Sequence, residues 1–190
     1  RVWTDLINGR DVILKVEATY PTLLRGERLS LNIFQRMCGI ATETAKYVKE
    51  LADTHTELLD TRKTAPGLRV LDKMAVKHGG GTNHRMGLYD MAMIKDNHIK
   101  MAGGIAKAVE QVRARISEGI KVEVETTNID EVHQAINAGA DIIMLDNMSV
   151  EDMKEAVKLA KGKAETECSG NVTRENVARL VDIGVDYISS

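Results

Sequence analysis

Residues 121–170 read KVEVETTNIDEVHQAINAGADIIMLDNMSVEDMKEAVKLAKGKAETECSG, and they alternate short β-type runs with amphipathic helical runs. In the second helical run, 149–161, apolar residues recur every three or four positions, which predicts a helix with one buried face. The two helical runs open on the capping residues Asn128 and Ser149 and close at Gly139 and Gly162. Strands joined by such crossover helices pair in parallel.

The same unit repeats on both sides of this stretch. Thr173 and Gly184 bound a third helical run, and the β-type runs are 57–61, 91–95, 121–126, 141–146, 164–168 and 185–189. Units with this short period favour a (β/α) barrel over a doubly wound sheet, although periodicity alone does not separate the two. No Gly-x-Gly-x-x-Gly turn follows any of these runs, which counts against a dinucleotide-binding fold.

The first part of the chain has a different pattern. Residues 12–17 alternate like a half-buried strand, Pro21 and Gly26 predict breaks, and residues 27–52 have the pattern of one long helix. We therefore expect residues 1–26 to be the remnant of another domain and residues 27–190 to form the barrel domain. The chain begins at Arg1 rather than Met and stops within a strand-like run, so we expect a fragment cut at both ends.

Composition excludes several classes of protein. The chain has 190 residues, is 43% hydrophobic and has a net charge of −2, as expected for a soluble globular protein. No uncharged apolar run approaches the roughly 18 residues of a membrane span, and no signal-peptide pattern is present. The two cysteines, Cys38 and Cys168, lie far apart, so we expect a reducing, cytoplasmic location. A nearly neutral chain also lacks the basic stripe of nucleic-acid-binding proteins.

Polar and charged residues follow the predicted strands at their carboxyl ends. In parallel α/β folds these ends converge on one pocket, where active sites form. We expect a functional ring there, with an ion-pair network that closes the barrel mouth as the alternative. The members of the ring are Arg62, Lys63, Lys95, Asp96, Glu125, Asp146, Ser169 and Gly170.

The third predicted strand has charged residues at alternate positions, Lys121, Glu123 and Glu125, so all three share one face. In a barrel whose outer face packs on helices, Val122 and Val124 point outward and the charges point inward. Buried charges need a partner or an ion. We expect Lys121 and Glu123 to be structural and Glu125, which is nearest the mouth, to be functional.

The presumed mouth has more cations than carboxylates. Arg62 and Lys63 follow the first strand, and Asn83-His84-Arg85 precedes the second, where a solvated loop is the alternative. Together with Lys95, these groups favour a ligand that has several carboxylates or phosphates.

Two further features of the mouth suggest a phosphorylated ligand. Glu125 and Asp146 suit a divalent metal, Mg²⁺, that is bound jointly with phosphate oxygens. Ser169-Gly170-Asn171 leads into the helix that Thr173 opens, and amides at such a turn can form a phosphate cradle. The sequence therefore predicts a polyanionic ligand, with magnesium, at one end of the barrel.

These motifs, in this order, resemble the quinolinate phosphoribosyltransferase family over roughly residues 10–190. No single motif is specific, but the combination is. It consists of ERLSLN (27–32), GIA (39–41), TRKT (61–64), HR (84–85), KDNH (95–98), AGG (102–104), VEVE (122–125), LDN (145–147) and ECSG (167–170). The resemblance implies an open α/β barrel beside an α/β sandwich domain, of which residues 1–26 would be the end, in a homodimer or a larger oligomer.

The activity that the resemblance implies joins quinolinate to phosphoribosyl pyrophosphate and releases pyrophosphate and CO2, giving nicotinate mononucleotide for NAD biosynthesis. Quinolinate would be bound by Arg62, His84, Arg85 and Lys95. Phosphoribosyl pyrophosphate would be bound by Lys63, Glu125, Asp146, Ser169, Gly170 and Asn171, with Mg²⁺ on Glu125 and Asp146. The catalytic set would be Lys63, Lys95, Glu125 and Asp146. Arg28 would reach into the active site of the neighbouring subunit.

One residue departs from the family pattern. Asn171 stands where many members have a glycine, and asparagine is the best replacement for glycine in a left-handed turn. We therefore expect the cradle to be retained.

Three alternatives stay open. A paralogue of the same family, associated with molybdenum transport, shares most of the motifs and could use another base. A Schiff-base aldolase could use Lys95 or Lys121 as its nucleophile. The third alternative is a non-catalytic module that binds phosphate-containing ligands.

Overall fold

The computed structural model describes residues 9–190, in which strands and helices alternate. The strands are β1 (Glu57–Leu59), β2 (Ala92–Ile94), β3 (Val122–Thr126), β4 (Ile142–Asp146), β5 (Glu165–Ser169) and β6 (Tyr187–Ser189). The helices are α1 (Tyr20–Glu50), α2 (Arg69–His78), α3 (Asp96–Ala102), α4 (Ile105–Arg113), α5 (Ile129–Asn137), α6 (Val150–Ala160) and α7 (Arg174–Val181). Each strand coincides with a predicted β-type run to within one or two residues at either end.

All strand pairs of the sheet are parallel, in the order β1-β6-β5-β4-β3-β2. In a doubly wound sheet the strand order reverses at a switch point, whereas here β2 to β6 lie side by side in chain order and β6 pairs with β1. Within the described residues β1 and β2 form the two edges and do not pair with each other. The predicted fold, an open (β/α) barrel, is therefore confirmed.

The predicted helix starts are formed by local hydrogen bonds. Asn128 Oδ1 accepts from the amide of Glu131 at 3.0 Å, and Ser149 Oγ accepts from the amide of Asp152 at 3.1 Å. These bonds satisfy amides that the first turn of a helix leaves without partners. Gly139, at the end of the first of these helices, has φ +74°, which is the left-handed conformation that glycine adopts freely.

The two faces of the sheet differ as the alternation predicts. Val122, Val124, Ile143 and Leu145 are buried in one hydrophobic core with residues of the surrounding helices. The opposite face of β3 has Glu123 and Glu125, and it is directed into the barrel. Hydrophobic burial thus fixes the register of each strand, and the register determines which polar side chains face inward.

The N-terminal predictions need two corrections. Helix α1 begins at Tyr20 rather than at residue 27, because Pro21 occupies the first turn, where a missing amide hydrogen costs nothing. Gly26 lies inside this helix rather than at a break. Residues 12–17 form no strand, and their side chains are exposed. The division into two domains at residue 26 stays a prediction, with residues 1–8 outside the described part.

Helix α1 is fixed to the barrel by both apolar and ionic contacts. Met37, Ala41 and Thr44 are its buried residues. Arg36 forms a bidentate ion pair with Asp72 of α2, with N···O distances of 2.7 and 2.8 Å, and Asp72 also accepts from the amide of Ala65. The helix therefore stabilises the loop that follows β1. None of the helices in residues 9–190 has both the length and the apolar composition that crossing a bilayer requires.

Candidate active site

A cavity of about 500 Å³ opens at the carboxyl ends of the strands. Residues at or just after the ends of all six strands line it, as expected for a barrel in which the crossover loops converge. The lining includes every predicted ligand residue except Arg28: Arg62, Lys63, His84, Arg85, Lys95, Glu125, Asp146, Ser169, Gly170 and Asn171.

Two residues singled out in the sequence do not line this cavity. Arg28 is exposed on α1. Asp96 is exposed at the start of α3, where its carboxylate accepts from Lys100 Nζ at 3.1 Å. The cavity also includes residues that sequence reasoning did not select: Asp60, Thr61, Met93, Met144, Asn147, Glu167 and Ser189. Of these, Thr61, Asn147 and Glu167 lie within the family motifs TRKT, LDN and ECSG, and these motifs are the signal in the sequence that points to them.

One ion pair crosses the mouth of the barrel between neighbouring strands. Lys95 Nζ donates to Glu125 Oε2 at 2.8 Å, because the two residues follow the paired positions Met93 and Glu123 by two residues each. Among the described residues, Arg62, Lys63 and Asp146 form no ion pair. The mouth is therefore not closed by a network of ion pairs, and cationic groups stay available to a ligand.

Two arginines place like charges at one wall of the cavity. Burial, and then the nearby charge of Arg62, lowers the pKa of Arg85 below its ordinary value. The guanidinium of Arg85 donates to the carbonyl of Met91 at 3.1 Å and lies 3.6 Å from Met93 Sδ. Because the two cations repel each other, an anion that contacts both is bound favourably.

His84 lies at the floor of the cavity above two buried glutamates. Its Nε2 is 3.1 Å from a carboxylate oxygen of Glu123 and 3.3 Å from one of Glu167, and both glutamates are fully buried. Burial lowers the pKa of His84, but the two carboxylates outweigh it and raise that pKa to about 9. Burial also raises the pKa of Glu123.

Lys121 and Glu123, which we expect to be structural, contact different partners. Lys121 Nζ donates to Glu165 at 2.5 Å at the amino-terminal end of the strands, and this contact raises the pKa of Lys121. Glu123 faces His84 instead.

The atoms of His84, Glu123 and Glu167 lie close enough together for a metal, within 4.8 Å of one another. In the neutral ring, the amide of Arg85 donates to Nδ1 of His84 at 2.8 Å and the ring hydrogen is on Nε2; the charged ring has a hydrogen on Nε2 as well. A protonated Nε2 cannot bind a metal. We therefore interpret the three side chains as a buried electrostatic cluster, in which two carboxylates face the Nε2 of His84.

The turn after β5 has an unusual backbone. Gly170 has a positive φ of +93°. Among the non-glycine residues of 9–190, only Asn147, at +52°, and Asn171, at +50°, have positive φ values. Asn171 Nδ2 donates to Asn147 Oδ1 at 3.3 Å. At this φ side chains are strained, and a Cβ on Gly170 would also lie 2.4 Å from Asn147 Oδ1, so glycine is favoured there. The left-handed conformation expected of Asn171 is confirmed.

A known protein family matches most of the chain. The family model described as Quinolinate phosphoribosyl transferase, C-terminal domain, matches residues 40–190. The chain belongs to this family. Its parallel open barrel and the cavity at the carboxyl ends of the strands are therefore those of a quinolinate phosphoribosyltransferase C-terminal domain.

Named members of the family are similar over nearly the whole chain. A probable nicotinate-nucleotide pyrophosphorylase [carboxylating] of Synechocystis is 46% identical over 187 residues, which are 97% of this chain and 63% of the relative. The corresponding protein of Bacillus subtilis is 43% identical over 97% of this chain and 64% of the relative. The chain thus spans less than two thirds of the length of these relatives.

A solved structure of the family has the same fold. The crystal structure of NadC from Streptococcus pyogenes superposes with a TM-score of 0.86 at 44% identity, covering 91% of this chain and 61% of that one. The open barrel described above is therefore the fold of this family member as well.

Proposed function

We propose that this chain contains the active site of a quinolinate phosphoribosyltransferase, a pentosyltransferase of NAD biosynthesis. The reaction transfers the phosphoribosyl group of phosphoribosyl pyrophosphate to the nitrogen of quinolinate, with loss of CO2 and pyrophosphate, and gives nicotinate mononucleotide. The observation that supports the proposal most strongly is that the predicted cations, the predicted carboxylates and the turn after β5 all line one cavity. Family membership over residues 40–190 supports it.

The cationic wall of the cavity suits quinolinate, which is a planar ring with two neighbouring carboxylates. Arg62 and Arg85 supply guanidinium groups that bind carboxylates through two parallel hydrogen bonds. Their mutual repulsion favours a dianion over a monoanion. We assign His84 and Lys95 to the same ligand, since both line this cavity.

The turn after β5 suits the 5′-phosphate of phosphoribosyl pyrophosphate. Ser169 offers a hydroxyl, and the left-handed residues Gly170 and Asn171 turn the backbone ahead of α7. Successive amides in such a turn, close to a helix N-terminus, bind anions. Lys63, across the cavity, would contact the pyrophosphate group.

The carboxylates of Glu125 and Asp146 fit a magnesium ion, because Mg²⁺ takes a few carboxylate oxygens and fills its other positions with water and phosphate oxygens. When bound, the ion neutralises the charge of the departing pyrophosphate. The same two carboxylates face the ribose, where positive charge develops as the pyrophosphate leaves, and they stabilise that charge. Lys95, held by Glu125 at 2.8 Å, orients this carboxylate.

Decarboxylation needs no separate base in this scheme. Once the ring nitrogen has formed its bond to the ribose, its positive charge stabilises the electron pair that stays on the adjacent ring carbon as CO2 leaves, and that carbon then takes a proton from water. Cys168 is not needed as a nucleophile either: it is packed in the core, and burial raises the pKa of its thiol to about 11. Of the two amines that a Schiff-base aldolase could use, Lys121 is paired with Glu165 and does not line the cavity, and Lys95 is paired with Glu125.

We also propose that the protein works as a cytoplasmic homodimer or a larger oligomer with shared active sites. Arg28 is exposed on α1 and does not line the cavity of its own chain. This placement supports a role for Arg28 in the site of a neighbouring subunit.

Two variants of the full-length protein test the assignment of roles. Arg62→Ala should weaken quinolinate binding by about 10- to 100-fold, since a charge-assisted hydrogen bond contributes about 1.5–3 kcal/mol. Glu125→Gln keeps the shape of its side chain and removes its charge, so turnover should fall while quinolinate binding is retained. Calorimetry and a product assay measure the two effects. Quinolinate binding that is unchanged in Arg62→Ala, or full turnover in Glu125→Gln, would contradict the assignment.

A further inference from the structure

Lys73 is a lysine buried in α2, with 1% of its side chain exposed. Its Nζ donates to Asp60 Oδ1 and, at 2.9 Å, to the backbone carbonyl of His84. Asp60, which follows β1, is also buried. Taking an ammonium group and a carboxylate out of water is costly, and a buried ion pair regains that cost only when its geometry is well satisfied.

The carboxylate of Asp60 is satisfied by groups from a distant part of the chain. Oδ1 accepts from the amide of His84 at 2.9 Å, and Oδ2 accepts from Asn83 Nδ2 at 2.6 Å. The same Asn83 nitrogen lies 2.8 Å from the carbonyl of Lys73. The ion pair thus holds both the amide and the carbonyl of His84, and it joins the end of β1 to the segment 82–86 through α2.

The two segments that the pair connects are those that contain the arginines at the cavity wall. Arg62 is two residues after Asp60, and Arg85 is the residue after His84. We infer that Asp60 and Lys73 are positioning residues that set the spacing of Arg62 and Arg85, and thereby the selectivity for a planar dicarboxylate. This inference rests on the proposed function.

The test separates positioning from stability. Removing one partner of a buried ion pair leaves the other charge buried and alone, whereas replacing both with apolar groups of similar size is often neutral for stability. The double variant Asp60→Leu/Lys73→Met should therefore melt at a higher temperature than Asp60→Leu alone, although the amide of His84 loses its acceptor in both. Lys46→Met is the matched control, because its ion pair with Glu43 is on the surface of α1.

In the full-length double variant, we expect the dissociation constant of quinolinate to rise at least about tenfold, since both arginines lose their fixed spacing. The dissociation constant of phosphoribosyl pyrophosphate should rise by a smaller factor than that of quinolinate, because among its proposed ligands only Lys63 lies on the loop after Asp60, and the turn after β5 bonds to neither Asp60 nor Lys73. Lys46→Met should leave both constants unchanged. If the double variant binds quinolinate as the wild type does, or loses affinity for both ligands equally, the inference is overturned.

Amide hydrogen exchange gives a readout that needs no ligand. In Asp60→Asn, which keeps the size of the side chain, exchange at His84 should accelerate by about tenfold or more while β3 and β4 exchange as in the wild type. Unchanged exchange at His84 would overturn the inference even if the double variant failed to fold. A wild-type protein that does not bind quinolinate would refute the proposed function instead, and the exchange rates would still report on the segment 82–86.

Discussion

His84 shows how strongly single residues in this site depend on neighbours that are distant in sequence. Its ring lies against Glu123 and Glu167, which come from two different strands. When the ring is neutral, the amide of Arg85 donates to its other nitrogen. An isolated histidine would be mostly neutral at neutral pH. Between these two carboxylates it holds its proton more strongly, which adds positive charge to the floor of the cavity.

We predict that His84 titrates far above the ordinary value of 6.5, at a pKa of about 9. Because the folded-state pKa is raised, the stability it contributes is fully present below about pH 6.5 and is lost as the pH rises through about 9. Histidine NMR across this range measures the midpoint. Gaining the second ring hydrogen displaces the Arg85 amide from Nδ1, so the amide signal of Arg85 should shift with the same midpoint.

Glu167→Gln supplies the control for this titration. It removes one of the two carboxylates that raise the pKa of His84 and should lower the midpoint. A midpoint near 6.5 in the wild type, or one that Glu167→Gln leaves in place, would show that the carboxylates do not act on the ring.

The contact between α1 and α2 connects both helices to a loop that lines the cavity. Gly79, at the end of α2, lies against α1 so closely that an added Cβ would be 2.5 Å from the carbonyl of Ala41 and 2.6 Å from Thr44 Cβ. Arg36 and Asp72 join the same two helices, and Asp72 holds the amide of Ala65. Close packing of α1 on α2 therefore stabilises the loop that contains Arg62 and Lys63.

Gly79→Ala should reduce the free energy of unfolding by about 1–3 kcal/mol, because the new methyl group meets the backbone of α1 and cannot be accommodated by a side-chain rotation. Gly39→Ala is the matched control: its Cβ would meet nothing within 4 Å, and alanine favours a helix by up to about 1 kcal/mol. Chemical denaturation measures both. If the two variants are equally stable, the close contact between the helices is absent in solution.

The helices and strands show which features of the structure can be predicted from the sequence and which cannot. Local rules predicted the strands, the caps at Asn128 and Ser149, and the ring of polar residues, because these depend on neighbouring residues and on strand alternation. The start of α1 was misplaced because Pro21 was taken as a break rather than as a first-turn residue. The contacts of Lys73 with Asp60 and of Lys121 with Glu165 join distant segments, and no local pattern indicates such partners.

The relatives are longer than this chain, which spans 63% of the Synechocystis protein. The cavity in a single chain contains ten of the predicted ligand residues, and Arg28 is exposed elsewhere on α1. The proposed site shared between two subunits would account for this placement, since a twofold dimer brings the same surface of each chain to the other.

Subunit complementation tests the shared site. Arg28→Ala and Lys95→Ala should each be nearly inactive in the full-length protein, and mixing them should restore activity, because a mixed dimer has one site with both native residues. Random exchange gives half mixed dimers with one working site each, so recovery should approach about a quarter of the wild-type activity. If mass spectrometry proves subunit exchange and no activity returns, Arg28 does not act across the interface.

The central claim, that this cavity joins quinolinate to a phosphoribosyl group, is tested most directly by product analysis. The full-length protein is incubated with phosphoribosyl pyrophosphate, Mg²⁺ and either quinolinate or nicotinate, and the nucleotide, pyrophosphate and CO2 are quantified. We predict nicotinate mononucleotide, pyrophosphate and CO2 in equal amounts from quinolinate, and very little product from nicotinate, which lacks the second carboxylate that Arg62 and Arg85 require. Turnover of nicotinate at a similar rate, or no nucleotide from quinolinate, would contradict the claim.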